Sequence, residues 1–308
     1  GIEVVSDDKY IYLEATNLKP GIINFKTNTH MGTDNAILFS MFIPGETTIL
    51  NAAEEPEVDD LIKFVNLMGA DVKRVEPRKI LVNGKNTFSG ATFTVMEDRN
   101  EVVTYAVAAL VTNGNLTIEG IDRTNLLAFT SFLTKLGAKF EINSKELRIW
   151  RAGEQLNTTD LTATPYPGFM TDWQPLATLL LTQCVGVSTV YDTVYWDRFS
   201  YTKELNRMGA DIDLLRPSDL GRELIISEDT YDLEKLGEPY VVAKINAPSK
   251  LKGAKLFIPD LRAGATLILA ALAAEGKSEL VGFENVTRGY EDFAEKLKNL
   301  GAAVSFPV

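Results

Sequence analysis

The chain has 308 residues, 45% apolar and 24% charged, and 31 Lys and Arg against 42 Asp and Glu give it a formal charge of −11. That supports a large core and two domains, whereas the acidic balance offers no general attraction to phosphate backbones or anionic lipid, so neither nucleic acid nor a membrane is an expected partner. No apolar run reaches the roughly 20 residues of a bilayer span and the N-terminus lacks the pattern of a signal peptide, so a cytoplasmic location is expected.

In chain order, Gly1-Ile2-Glu3-Val4 and Tyr10-Ile11-Tyr12-Leu13 read as an extended pair. A unit then recurs: an apolar helix closing near a glycine, a β-branched strand, an amphipathic helix, and a Gly-Ala step leading into another extended pair. The first copy is NAILFSMFIPGETTILN with PEVDDLIKFVNLMGADV and KILVNG, the second EVVTYAVAALVTNGNLTIEG with TNLLAFTSFLTKLGAKF. The third is QPLATLLLTQCVGVSTVYD with RFSYTKELNRMGADI, and the fourth ATLILAALAAEGKSELVG with GYEDFAEKLKNLGAAV. The two glycines are 24, 23, 23 and 25 residues apart (Gly45 to Gly69, Gly114 to Gly137, Gly186 to Gly209, Gly276 to Gly301).

A glycine after a helix can take the left-handed conformation that closes the last turn, and the runs TTIL, LTIEG, STVYD and SELVG beyond it favour strand. Leu61, Phe64, Val65 and Met68, like Phe293, Leu297 and Leu300, recur at helical spacing and predict one buried face per second helix. A βαβαββ unit results, and several must pack helix against helix to cover their apolar surfaces. The opening pair matches the residues after each Gly-Ala step, so the chain is expected to start within an earlier copy, N-terminally incomplete.

The lone cysteine, Cys184, is read as part of the third copy's helix and as buried packing. The single histidine, His30, excludes a His-rich metal centre, and no metal site is expected.

Several motifs resemble the UDP-N-acetylglucosamine enolpyruvyl transferase family. NAAEEPEVDDLIKFVNLMGA (51–70) is similar to its Asn-Ala-Ala-x-Glu-Pro-Glu stretch, YPGFMTDWQP (166–175) to its Pro-x-Phe-Pro-Thr-Asp-x-Gln loop, and VYWDRF (194–199) to its Phe-Glu-Asn-Arg-Phe. IPDLRAGATLILAALAAEG (258–276) and TRGYEDFAEKL (287–297) resemble Asp-Leu-Arg-Ala and Asp-Arg-Gly-Tyr-Glu. The resemblance implies an inside-out α/β barrel fold of βαβαββ repeats, with four units and the tail of a fifth present. It also implies residues 1–88 as a partial substrate-loop domain and 89–308 as a complete three-repeat domain.

The implied reaction moves the enolpyruvyl group of phosphoenolpyruvate onto the 3′-hydroxyl of UDP-N-acetylglucosamine, a step of peptidoglycan precursor synthesis, with no metal or organic cofactor. It needs a base and several cations around a carboxylate and a phosphate. Asp172 matches the base, although Thr171-Asp172 ahead of an apolar run also fits a plain helix cap. Arg262 and Arg288 match the arginines that hold the phosphoenolpyruvate anion, where a planar fork pairs with carboxylate or phosphate, and Arg198 an arginine near the substrate.

Thr171, Val194 and Asp260 match substrate-side positions, Asp260 as the acidic partner of the Arg262 loop or a structural turn. Met31 and Gly32 fall loosely where the family has the Ser-Val-Gly-Ala-Thr loop around the uridine diphosphate. Glu55 and Glu57 are given a structural, interdomain role, and Asp98-Arg99 a hinge.

The family's Pro-Gly-Gly-Cys loop and Lys-Asn pair have no counterpart in these 308 residues, and Cys184 cannot replace the former. The chain alone is therefore expected to be inactive. The altered substrate loop leaves a non-catalytic sugar-nucleotide-binding or regulatory paralogue open, and 3-phosphoshikimate enolpyruvyl transferase is a further alternative.

Overall fold

The computed structural model describes residues 2–7, 9–15, 17–225 and 231–305; Gly1, where the expected N-terminal tail begins, lies outside them. Contacts divide the chain into two compact units, Gly1–Met96 and Glu97–Val308.

The first unit opens with an antiparallel hairpin of β1 (Ile2–Ser6) and β2 (Ile11–Ala15), paired from Ile2 with Ala15 to Ser6 with Ile11. It continues with β3 (Ile22–Asn24), α1 (His30–Ser40), β4 (Gly45–Leu50), α2 (Pro56–Leu67), β5 (Val72–Glu76) and β6 (Lys79–Gly84). β3 lies parallel to β4, and β6 inserts between β4 and β5, antiparallel to both, giving the order β3-β4-β6-β5. Ile49, Val72, Ile80 and Val82 on the sheet pack with Ile37 of α1 and Val58, Ile62 and Val65 of α2. The strands thus bury alternate residues on one face. The buried stripe of α2 runs through Val58, Ile62 and Val65; the expected Leu61, Phe64 and Met68 are only half-buried at its edge.

The second unit runs α3 (Arg99–Val111), β7 (Asn115–Glu119), α4 (Leu127–Leu136), β8 (Lys139–Ile142), β9 (Glu146–Trp150), β10 (Leu161–Ala163), α5 (Gln174–Leu181) and β11 (Gly186–Asp192). It continues with α6 (Thr202–Arg207), β12 (Ile212–Leu215), α7 (Leu233–Leu236), β13 (Val242–Ala247), β14 (Lys255–Phe257), α8 (Leu261–Ala273), β15 (Glu279–Val281), α9 (Glu284–Thr287) and α10 (Phe293–Asn299). Its larger sheet, β10-β11-β13-β12, repeats the first unit's strand order and senses: parallel across the first pair, then antiparallel twice. β7-β9-β8 and the parallel pair β14-β15 carry parts of the same pattern. Among the described residues the strands form separate sheets.

What organises this unit is a trio of helices. Every residue of α5 is buried, as are nearly all of α3 and Ala263–Ala270 of α8, and the three pack on one another. A helix apolar all round is stable only when enclosed. The second helices are amphipathic: α4 buries Phe129, Phe132, Leu133 and Leu136, and α10 buries Phe293 and Leu297. Leu300, expected on that face, is 54% exposed because α10 ends at Asn299 and the chain turns there.

The second glycine of each copy is left-handed, with φ of +99° at Gly69, +69° at Gly137, +100° at Gly209 and +98° at Gly301. An L side chain is strained in that region. In the second copy's first position Asn113, at φ +55°, makes the left-handed step instead of Gly114.

Cys184 lies in the turn after α5 rather than in the helix. The Thr182 hydroxyl donates to Leu179 O at 2.7 Å where the helix ends, and the Cys184 thiol donates to Leu180 O at 3.4 Å. It is fully buried, and burial pushes the thiol up to about 12. Iodoacetamide at pH 8 is therefore expected to leave the native chain unmodified while alkylating the urea-unfolded chain, because the thiolate is the nucleophile. Equal rates in both states would place Cys184 outside the core.

Candidate functional site

The starts of the three enclosed helices carry most of the polar side chains singled out in the second unit. Asp98 caps α3, accepting from the amides of Asn100 and Glu101, and Arg99 follows it fully buried, its guanidinium 5.0 Å from the Tyr166 ring and 5.6 Å from the Trp173 ring. Trp173 Nε1 donates to Asn100 Oδ1 at 2.9 Å, so the starts of α3 and α5 are bonded together. Asp260 caps α8 by accepting from the amides of Arg262 and Ala263, both at 2.9 Å. It thereby orients the Arg262 backbone, while its own side chain is spent on the cap.

Thr171 and Asp172 occupy a short 3-10 turn, Thr171–Trp173, that leads into α5. Neither caps a helix: no side chain bonds the first amides of that turn or of α5, which begins with Pro175 in its first turn. The carboxylate of Asp172 lies between two guanidiniums instead. Arg198 Nη2 donates to Oδ1 at 3.2 Å, and Arg262 Nη2 to Oδ2 at 3.0 Å. The arginine side chains are each 17% exposed and that of Asp172 29%, so water reaches the cluster without dissolving it.

Arg198 begins another short 3-10 turn before α6, and its guanidinium stands 4.8 Å from the centroid of the Tyr195 ring. Arg262 faces Tyr290 at 6.0 Å. Burial opposes the charge on Arg262, but Asp172 and Tyr290 outweigh it and hold its pKa above the usual value. Tyr290 is itself buried and shares a 2.8 Å hydrogen bond with Thr104 of α3; burial raises its pKa, against the pull of Arg262 and Thr104.

The structure therefore brings together Thr171, Asp172, Arg198 and Arg262. Arg288 is different. It caps the end of α9, two residues before Tyr290; its side chain is exposed and forms no hydrogen bond or ion pair with any described residue. The adjoining Gly289 packs on Leu261, next to Arg262 in sequence: a Cβ on the glycine would come within 2.8 Å of Leu261 Cδ2. Val194 contributes its amide to Asp192 at 2.9 Å.

Met31 and Gly32 belong to the first unit, in the opening turn of α1. Thr29 caps that helix by accepting from the Gly32 amide at 3.2 Å, and Met31 is 68% exposed. Glu55 precedes α2 without a capping bond and Pro56 opens the helix, with Glu57 in its first turn.

One side chain in the second unit escaped sequence reasoning. Asp192, at the end of β11, is 1% exposed and accepts three hydrogen bonds: from Thr171 Oγ1 at 2.6 Å, Val194 N at 2.9 Å and Tyr195 N at 3.0 Å. Burial raises its pKa, and these donors together with Arg198 offset part of the rise. The only hint in the sequence is an acidic residue closing an apolar strand six positions before Arg198.

Chemically, two guanidiniums, a third one close by in sequence to Tyr290, and the amino ends of enclosed helices make a locus suited to a small anion, because each helix start adds roughly half a positive charge. Two surface cavities, of about 360 Å³ around Phe132, Lys135 and Asp160 and about 410 Å³ around Thr112, Gly114 and Leu297, share no lining residue with this cluster. Among the described residues, no three His, Cys, Asp or Glu side chains stand where they could hold a metal ion, and no helix is long and apolar enough to cross a membrane.

Comparison with known proteins bears on the fold and the family. A family model for EPSP synthase (3-phosphoshikimate 1-carboxyvinyltransferase) matches residues 1–297. The UDP-N-acetylglucosamine 1-carboxyvinyltransferase of Protochlamydia amoebophila is 35% identical over 288 residues, 94% of this chain and 60% of that protein. UDP-N-acetylglucosamine 1-carboxyvinyltransferase 1 of Clostridium acetobutylicum is 34% identical over 304 residues, 99% of this chain and 67% of that protein. The chain thus spans between 60% and 67% of the length of these two relatives.

Among solved structures, the enolpyruvyl transferase NikO from Streptomyces tendae has the same fold, with a TM-score of 0.83 at 24% identity over 98% of this chain and 68% of that one. EPSP synthase from Acinetobacter baumannii is also similar, with a TM-score of 0.69 at 17% identity, over 100% of this chain and 69% of that one. The α/β architecture is therefore that of the enolpyruvyl transferases, and the chain belongs to the EPSP synthase (3-phosphoshikimate 1-carboxyvinyltransferase) family.

Proposed function

We propose that this chain carries the anion-binding and proton-accepting half of an enolpyruvyl transferase that joins phosphoenolpyruvate to the 3′-hydroxyl of UDP-N-acetylglucosamine, releasing phosphate, for peptidoglycan precursor synthesis. The names and 33–35% identities of the curated relatives support the acceptor. The observation that carries the chemistry is Asp172 held between Arg198 and Arg262 at 3.2 and 3.0 Å.

In this reading Asp172 takes the proton of the acceptor hydroxyl as its oxygen bonds to the central carbon of the enolpyruvyl group. The arginine forks hold the carboxylate and phosphate of the donor. The terminal enol carbon gains a proton to give a tetrahedral adduct, which loses phosphate and a proton to restore the double bond. Arg288, exposed and unengaged, would close on the anion. Met31 and Gly32, at the start of α1, would face the sugar nucleotide, with Thr171, Val194 and Asp260 on the substrate side of the arginine loops.

The same reading takes the fold as an inside-out α/β barrel of βαβαββ units, four and the tail of a fifth, with domains at 1–88 and 89–308. The matching strand order and senses of β3-β4-β6-β5 and β10-β11-β13-β12 support the unit. A cytoplasmic location fits substrates of this class.

The test is phosphate release by the full-length gene product supplied with phosphoenolpyruvate and either UDP-N-acetylglucosamine or shikimate 3-phosphate. Release that depends on the sugar nucleotide is expected. Release with shikimate 3-phosphate instead would assign the other acceptor, and sugar-nucleotide binding without release would assign a non-catalytic paralogue.

A further inference from the structure

Asp192 is a carboxylate with almost no access to water, and it forms no hydrogen bond or ion pair with either guanidinium of the cluster. A buried carboxylate is costly unless its oxygens are satisfied. Here Oδ1 receives the amides of Val194 and Tyr195, which fixes the carboxylate to its own turn, and Oδ2 receives the hydroxyl of Thr171. The 2.6 Å distance of that last bond is in the range of a hydroxyl donating to an ionised oxygen.

With its hydrogen committed to Asp192, the Thr171 oxygen presents lone pairs on its other side, and there Arg198 Nε donates at 3.0 Å. Nε anchors the guanidinium plane. Nη2 of the same group reaches Asp172 at 3.2 Å, and the Tyr195 ring lies 4.8 Å from its carbon. A continuous line of hydrogen bonds therefore runs from Arg198 through Thr171 to Asp192.

We propose that Asp192 is a positioning residue for the anion site, acting through the Thr171 hydroxyl to hold the guanidinium of Arg198 in the orientation that pairs with a bound phosphate or carboxylate. This deepens the enolpyruvyl transferase reading and rests on it for the identity of the anion, although the relay itself requires only that Arg198 bind one. Asp192→Asn keeps the shape and the contact with the two amides but turns an NH2 donor toward Thr171. The hydroxyl hydrogen then loses its acceptor, and the lone pairs offered to Arg198 are contested.

Two readouts on the 308-residue chain test the relay. The first is inorganic phosphate affinity by calorimetry. Asp192→Asn and Thr171→Val are each expected to weaken it about tenfold, the loss of one charge-assisted bond. The double variant should be no weaker than the poorer single, because both cut the same line, and Thr171→Ser should recover most of what Thr171→Val loses.

The second readout needs no ligand: the Arg198 Nε–H proton resonance should exchange slowly in the wild type and in Thr171→Ser, and rapidly in Asp192→Asn and Thr171→Val. Should Asp192→Asn fail to fold, the valine and serine variants carry both measurements. Additive losses in the double variant, or an Arg198 resonance indifferent to Thr171→Val, overturns the proposal. A wild-type chain that shows the exchange pattern but takes no phosphate keeps the relay and contradicts the enzymatic reading instead.

Discussion

Asp172→Ala is expected to raise the affinity of the 308-residue chain for inorganic phosphate by about tenfold, roughly 1.4 kcal/mol, while lowering its stability. In the structure Asp172 satisfies both arginines with one carboxylate, at 3.2 and 3.0 Å, and so sits where an external anion would sit. An incoming phosphate has to displace it. Removing the carboxylate removes the competitor but leaves two guanidiniums facing each other without a counter-charge.

Breaking a fully buried pair costs about 3–5 kcal/mol. The partial exposure here, 17% for the arginines and 29% for Asp172, brings the expected cost to about 1–3 kcal/mol. Phosphate should restore that stability, so the rise in melting temperature with added phosphate should be larger in the variant than in the wild type. Under the proposed transfer reaction, Asp172→Asn in the full-length gene product should cut turnover by about 10²–10⁴-fold, the usual contribution of a general base. A purely structural Asp172 would instead give equal or weaker phosphate binding in the alanine variant.

Arg262→Ala should have the largest effect on anion binding. Arg262 is anchored by the α8 cap behind it, by Asp172 in front and by the Tyr290 ring, so its orientation is set before any ligand arrives. Losing one member of a hydrogen-bonded charge pair costs about 2–5 kcal/mol, which puts the expected loss of phosphate affinity between about thirtyfold and several thousandfold. Arg262→Lys keeps the charge without the fork and should fall between.

Arg288→Ala supplies the contrast. Its side chain engages no described partner, so the unfolding free energy should change by less than about 0.5 kcal/mol, while affinity for phosphoenolpyruvate still drops. If affinity is unchanged in Arg288→Ala, its proposed role fails without touching that of Arg262.

Much of this arrangement could be read from the sequence because it depends on local pattern. Apolar helices without a polar face, QPLATLLL and ATLILAALA, predict enclosure, and α5 and α8 are enclosed. The glycine that closes each first helix is expected to be left-handed, and Gly45, Gly186 and Gly276 take a positive φ, whereas Asn113 makes that step in place of Gly114. Asp172, Arg198 and Arg262 were singled out by motif, and they meet. Long-range polar pairing was not readable. Thr171 and Asp192 are 21 residues apart, and Thr104 and Tyr290 are 186 apart, on elements whose hydrophobic periodicity carries no record of which hydroxyl faces which.

The cap alternative for Thr171 and Asp172 shows the same limit. Composition at a helix start is the same whether the side chains turn back on the amides or outward to arginines 26 and 90 residues away. Leu300 and Cys184 lie past the ends of the helices that the sequence pattern assigns them to: the turn leaves Leu300 exposed, while Cys184 stays buried as expected.

The central claim is that Arg198 and Arg262 form an anion site that Asp172 occupies at rest. A crystal structure of the 308-residue chain soaked in inorganic phosphate measures this directly. The expected density is a phosphate bridging the two guanidiniums, with the Asp172 carboxylate turned away from at least one of them. Crystals at saturating phosphate in which both arginines still grip Asp172, with no anion between them, would contradict it.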